Sequence, residues 1–155
     1  MDLDLERFVR AQDGGGTFAR ALAELTDGRK RTHWMWFVFP QLVGLGRSPT
    51  AQHYAIRSLA EARAYLAHPV LGPRLRAAAA ALVTGPDAAV GSAEDILGAV
   101  DAVKLRSSMT LFRHADGDQS VFGAVLDRFF GGQPDEATDR LLSGEVARER
   151  SMTQE

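Results

Sequence analysis

Two groups of residues in this chain are of types that do chemistry. The first surrounds the segment Trp34-Met35-Trp36-Phe37-Val38-Phe39. It is apolar at both the helical and the strand period, so it must be buried on all sides. His33 precedes it and Gln41 follows directly after Pro40, so a polar group is carried towards the interior at each end. Buried polar groups need partners, and a ligand supplies them as readily as structure does. Two readings stand side by side. In one, the aromatics are core and His33 and Gln41 cap backbone groups. In the other, the aromatics wall a pocket for a planar ligand, with His33 and Gln41 as its polar contacts.

The second group lies on an expected helix from Asp101 to Arg113. At the helical repeat, Asp101, Lys104 and Ser108 fall on the same side as Leu105, Leu111 and Phe112. The opposite side carries Ala102, Arg106, Thr110 and Arg113. The spacing lets Asp101 pair with Lys104, and Lys104 approach Ser108. A partly buried lysine beside an aspartate is an anion clamp or a proton-transfer pair. It is equally an inward ion pair, with Asp101 as a helix cap.

Other chemistries find little support. His33, His53, His68 and His114 show no metal-ligand spacing, and the chain has no cysteine, so neither a metal site nor a thiol nucleophile is expected. Gly14-Gly15-Gly16 and Gly44-x-Gly46 match neither phosphate-loop fingerprint, no serine-hydrolase elbow is present, and no motif implies a cofactor. Arg29-Lys30-Arg31 ends a helix, where it complements the helix dipole or steers a phosphate-bearing ligand towards the aromatic segment. Lys30 and Lys104 are the only lysines in an arginine-rich chain.

The elements that must position these groups are short helices. Asp4 is the expected cap of a first helix carrying Leu5, Phe8 and Val9, broken by Gly14-Gly15-Gly16. Phe18, Leu22 and Leu25 form an amphipathic stripe stopped at Gly28. Thr32 and Pro40 bracket the aromatic segment as cap and terminator of a short central helix. Ser48-Pro49 is a cap and first-turn pair, and Ser58 to Glu61 a capping box for a helix ended by His68-Pro69. A stripe from Leu71 to Leu82 closes at Gly85-Pro86. Ser92 caps one or two turns; a helix through Val121, Val125 and Phe129 stops at Gly131-Gly132; Asp135 caps the last. No period-two strand with a hairpin turn appears. The expected fold is all-α: a compact multihelical single domain over residues 1–142, with 143–155 as a frayed tail.

The bulk composition agrees. The chain has 155 residues, of which 45% are hydrophobic and 25% charged, the balance of one globular domain. Its net charge of −2 argues against nucleic acid as a partner. No apolar stretch approaches the roughly 20 residues that cross a bilayer, and Met1-Asp2-Leu3-Asp4 is no secretory start, so a cytoplasmic location is expected by elimination.

The run Arg31-Thr32-His33-Trp34-Met35-Trp36-Phe37-Val38-Phe39-Pro40-Gln41 closely resembles the signature of the bacterial family called domain of unknown function 1810. Gly44 to Ser48, Leu66 to Gly72, Lys104 to Phe112 and Leu126 to Phe130 resemble it too, and the likeness runs from about Leu5 to Leu142. The resemblance implies an all-α fold. Where the family often has two aspartates before its lysine, this chain has Asp101-Ala102.

A more distant likeness in layout is to small helical proteins of NAD and ADP-ribose metabolism, which cleave N-glycosidic bonds. It implies a hydrolase acting on a nucleotide or ADP-ribose derivative. Trp34, Trp36 and Tyr54 would wall the base or ribose, Lys104 would hold the glycosidic centre, and Asp101 would set its charge. His33, Gln41 and Ser108 would complete the pocket, and Arg31 or Arg47 would meet a phosphate. The alternative is a non-catalytic module in which the same pocket recognises a small molecule or a protein; the single Asp101 favours it.

Overall fold

The computed structural model describes residues 4–84, 91–117 and 119–153, with side chains through 145. The described elements are helical: α1 (Glu6–Asp13), α2 (Thr17–Thr26), α3 (Met35–Val38), α4 (Pro49–His53), α5 (Leu59–Ala67), α6 (Leu71–Thr84), α7 (Ala93–Leu97), α8 (Ala99–Asp116), α9 (Val121–Phe130) and α10 (Glu136–Thr153). No strand occurs among the described residues; one isolated bridge joins Leu42 to Ile56. The all-α expectation holds.

Most helix ends follow the side-chain signals in the sequence. Ser48, Ser58, Ser92 and Ser120 each accept the backbone N–H three residues on, and Ser92 with Asp95 closes a complete capping box. Ser58 makes only half of its expected box, because Glu61 is drawn inward to Arg7 at 3.2 Å. Asp135 caps α10 through the Thr138 N–H.

Other boundaries differ. The residue preceding α1 is Leu5, with no side-chain cap; the Asp4 carboxylate faces Arg10 instead. Thr32 does not cap α3, which follows Trp34; its hydroxyl donates to Glu24 at 2.6 Å. Asp101 does not cap α8, which begins two residues earlier after Gly98, where φ is 88°. Past Ser143, α10 continues to Thr153, and Glu145 accepts from the Leu59 N–H at 3.2 Å. The Gly85-Pro86 stop lies outside the described residues.

The core gathers around α8, which α5, α7, α9 and α10 cover from different sides. This wrapping overturns the two-faced reading of that helix. Ala102 and Thr110, expected outward, are buried, and so are Ser107 and Met109. Trp34, Phe39, Tyr65, Phe112 and Phe122 fill the middle. A buried Arg7–Glu61 pair ties α1 to α5, and Arg7 also donates to the carbonyls of His53 and Ala55 at 2.9 Å. It thereby holds the end of α4 against the first helix.

Candidate functional site

The aromatic segment splits at its two tryptophans. Trp34 is fully buried, and its indole N–H donates to Glu24 at 3.0 Å. Glu24 also accepts from the backbone N–H groups of Arg31 and Thr32, at 2.7 and 3.0 Å. Burial opposes its ionisation, but the bonds from Thr32, Arg31 and Trp34 prevail and lower its pKa from 4.5 to about 2. One carboxylate thus folds the loop after α2 onto the core. Trp34 lies in the core and is not among the residues lining the two clefts described next.

Trp36, two residues on, is half-buried and belongs to the walls of two clefts. The first, of about 490 Å³, is lined by Trp36, Gln41, Leu45, Arg47 and Lys104, with the backbone at Gly46 and the ends of Val100 and Val103. Val100 and Val103 are 70% and 61% exposed, so the mouth of this cleft has an apolar rim. A Cβ on Gly46 would lie 2.5 Å from the Cβ of Ala51, so only glycine lets this turn approach α4. The second cleft, of about 480 Å³, is lined by His33, Trp36, Phe37, His53 and Tyr54, with Pro49 and Thr50. Trp36 and α4 form the ridge between the two.

Lys104 brings a positive charge to the wall of the first cleft. Its ammonium lies 4.5 Å from the Trp36 ring centroid and 3.3 Å from Asp101. Asp101 is not in the lining; it stands behind Lys104 and also meets Lys30 at 2.9 Å. Lys30 in turn lies 5.2 Å from the Trp34 ring centroid. Two cations therefore share one carboxylate, and Arg47 adds a third cation to the cleft lining. No acidic side chain appears among the residues described as lining either cleft. The arrangement can attract and hold an anionic group beside an apolar surface.

The expected site residues thus separate. Trp36, Gln41, Arg47 and Lys104 meet in one cleft, and His33 and Tyr54 join Trp36 in the other. His33 is exposed rather than drawn into the core. Arg31 lies in neither cleft; its guanidinium pairs with Asp27 at 3.3 Å on the surface. Ser108 is fully buried, and its hydroxyl has no hydrogen-bond partner among the described residues.

Sequence reasoning missed Glu24, His53 and the role of Lys30. Glu24 stands on the apolar side of α2, beside Ala21 and Leu25, and that placement was the available signal. Lys30 stood out as part of a basic run and as one of two lysines, but nothing in its spacing linked it to Asp101. No group of three or more histidine or acidic side chains placed to hold a metal ion occurs among the described residues. No described helix is long and apolar enough to cross a membrane.

Among curated proteins, no sequence matches the chain. Among solved structures, it is similar to the conserved hypothetical protein Rv1873 from Mycobacterium tuberculosis, at 48% identity over 90% of this chain and 96% of that one, with a TM-score of 0.84. The model of a family described as protein of unknown function DUF1810 matches residues 2–142. The helical architecture and the match over nearly the whole sequence agree with the signature around Trp34 and Trp36: the chain belongs to the DUF1810 family.

Proposed function

We propose that this protein binds a small molecule carrying an anionic group, such as a phosphate, in the cleft beneath Trp36, and that it does so without chemistry. The observation that carries this reading is the placement of Lys104 between Asp101 and the Trp36 ring, with Lys30 on the other side of Asp101. The cleft faces a lysine whose counter-ion is shared, and Arg47 stands beside it. Gln41 supplies a neutral donor and acceptor, and Leu45, Val100 and Val103 an apolar wall for the rest of the ligand.

Hydrolysis of an N-glycosidic bond is the less supported reading. It calls for a group that activates water, within hydrogen-bond reach of the reacting centre. Asp101, the carboxylate first considered, is engaged by two lysines and lies outside the cleft lining.

Thermal stability against a panel of phosphate-bearing compounds tests the proposal. The panel holds phenyl phosphate, nucleotides, NAD, ADP-ribose and ADP-ribosylated nucleosides. A ligand at one hundred times its dissociation constant stabilises the fold by about 2.7 kcal/mol, which raises the melting point by roughly 5 °C or more. The expected result is a shift with at least one phosphate compound, lost in Lys104→Met, with no turnover of any N-glycoside. A panel with no shift contradicts the binding reading; turnover abolished by Lys104→Met contradicts the absence of chemistry.

A further inference from the structure

We infer that Lys30, which lies outside the cleft, is the positioning residue that makes the cleft an anion site. It occupies Asp101 and so leaves the charge of Lys104 available. This inference rests on the reading of the cleft given above.

Asp101 offers one oxygen to each lysine: Oδ2 to Lys30 at 2.9 Å and Oδ1 to Lys104 at 3.3 Å. The Lys30 contact is the shorter and the drier, with its side chain 10% exposed against 23% for Lys104. Less water around a charge pair means less screening, so Asp101 is held more strongly on the Lys30 side. Two ammonium groups against one carboxylate leave a surplus positive charge. It is expressed at Lys104, because that lysine reaches the cleft and Lys30 does not.

The two tryptophans fix this division. Each ammonium lies over its own indole, Lys30 5.2 Å from the Trp34 ring and Lys104 4.5 Å from the Trp36 ring. Trp34 is locked by its bond to Glu24, so the Lys30 half of the arrangement is rigid. Trp36 is half-buried at the cleft wall, so the Lys104 half can answer a ligand. With Lys30 neutralised, Asp101 keeps Lys104 as its sole lysine partner, and the local charge of the trio falls to zero. Lys30→Met is a measured intervention. The methionine keeps the apolar stem over Trp34, and the backbone N–H of residue 30 still donates to the Ile96 carbonyl at 2.7 Å.

The test is the affinity for phenyl phosphate, by calorimetric titration, of the wild type, Lys30→Met, Lys30→Arg, Asp101→Asn and the Lys30→Met/Asp101→Asn pair. Lys30→Met is expected to weaken binding about fivefold, because Asp101 then pairs wholly with Lys104 and competes with the ligand for it. Lys30→Arg is expected to restore it. In the Asp101→Asn background, Lys30→Met is expected to change affinity by less than about twofold, because there is no shared carboxylate left to occupy. Lys30→Gln replaces Lys30→Met should the latter not fold. Unchanged affinity in Lys30→Met overturns the inference. So does an equal loss with and without Asp101, which would mean that Lys30 acts only through its own field. Failure of the wild type to bind phenyl phosphate, with binding of no other phosphate compound, removes the cleft reading and this inference together.

Discussion

At the scale of single residues, the molecule separates two tryptophans that the sequence presents as equals. Trp34 and Trp36 share an apolar run, and α3 has only four residues, too few for a periodicity to say which one turns inward. A distant partner decides it: Glu24, on another helix, takes the Trp34 indole N–H. Because the pKa of Glu24 is lowered, its contribution to stability is complete above its ordinary value of 4.5 and is lost as pH falls towards about 2. Glu24→Gln should therefore cost about 3 kcal/mol near neutrality, through the loss of charge-assisted bonds. It should also flatten the acid limb, which thermal melts from neutral pH down to about pH 2 will read. A wild-type acid limb unchanged in the variant contradicts this account.

Ser108 gives the opposite expectation. Ser107 and Thr110 bond back to carbonyls four residues earlier, but Ser108 has no such partner among the described residues. Removal of a buried, unpartnered hydroxyl relieves a desolvation cost. Ser108→Ala should leave stability unchanged or raise it by up to about 1 kcal/mol, and should leave ligand binding untouched. A loss of binding measured by titration would return Ser108 to the site.

At the scale of elements, cap chemistry was legible where the cap acts locally, and misread at Asp4 and Thr32, which turn to Arg10 and Glu24. Ser48, Ser58, Ser92 and Asp135 act within three residues of themselves. The faces of α8 were not legible, because four neighbouring helices cover it and a two-sided pattern no longer describes its burial. Asp101 and Lys104 could be paired from their spacing, whereas Lys30 reaches Asp101 across the fold.

Two elements set the clefts, and each makes a prediction. The turn at Gly46 packs so closely on Ala51 that Gly46→Ala must push α4 away. It should weaken phosphate binding by roughly tenfold or more while costing about 1–3 kcal/mol of stability, the usual range for overpacking. Equal affinity in titrations of the two proteins would show that α4 does not shape the cleft. The Arg7–Glu61 pair holds α1, α5 and the end of α4 together in a buried setting. Arg7→Met leaves Glu61 without its counter-ion and should cost about 3–5 kcal/mol. Part of that should return in Arg7→Met/Glu61→Leu, as measured by denaturant unfolding.

At the scale of the whole molecule, a chain of net charge −2 concentrates positive charge at one cleft. Binding of the proposed anionic ligand there should weaken with salt. The fold class was legible because helix periodicity and caps agree along most of the chain. The candidate site was legible in its residue types and only in part in its grouping, since His33 and Tyr54 line a different cleft from Lys104. Gln41, Arg47 and Lys104 come together only when α8 packs beside the turn before α4.

The most direct measurement uses the fact that the chain has only two tryptophans. Their indole N–H resonances report separately on the core and the cleft, because Trp34 is bonded to Glu24 and Trp36 lies under Lys104. In a nuclear magnetic resonance titration with phenyl phosphate, assigned through Trp34→Phe, the Trp36 signal should move saturably while the Trp34 signal stays in place. Lys104→Met should abolish the movement. If neither indole signal moves, or only that of Trp34, the anion does not bind beneath Trp36 and the central claim is wrong.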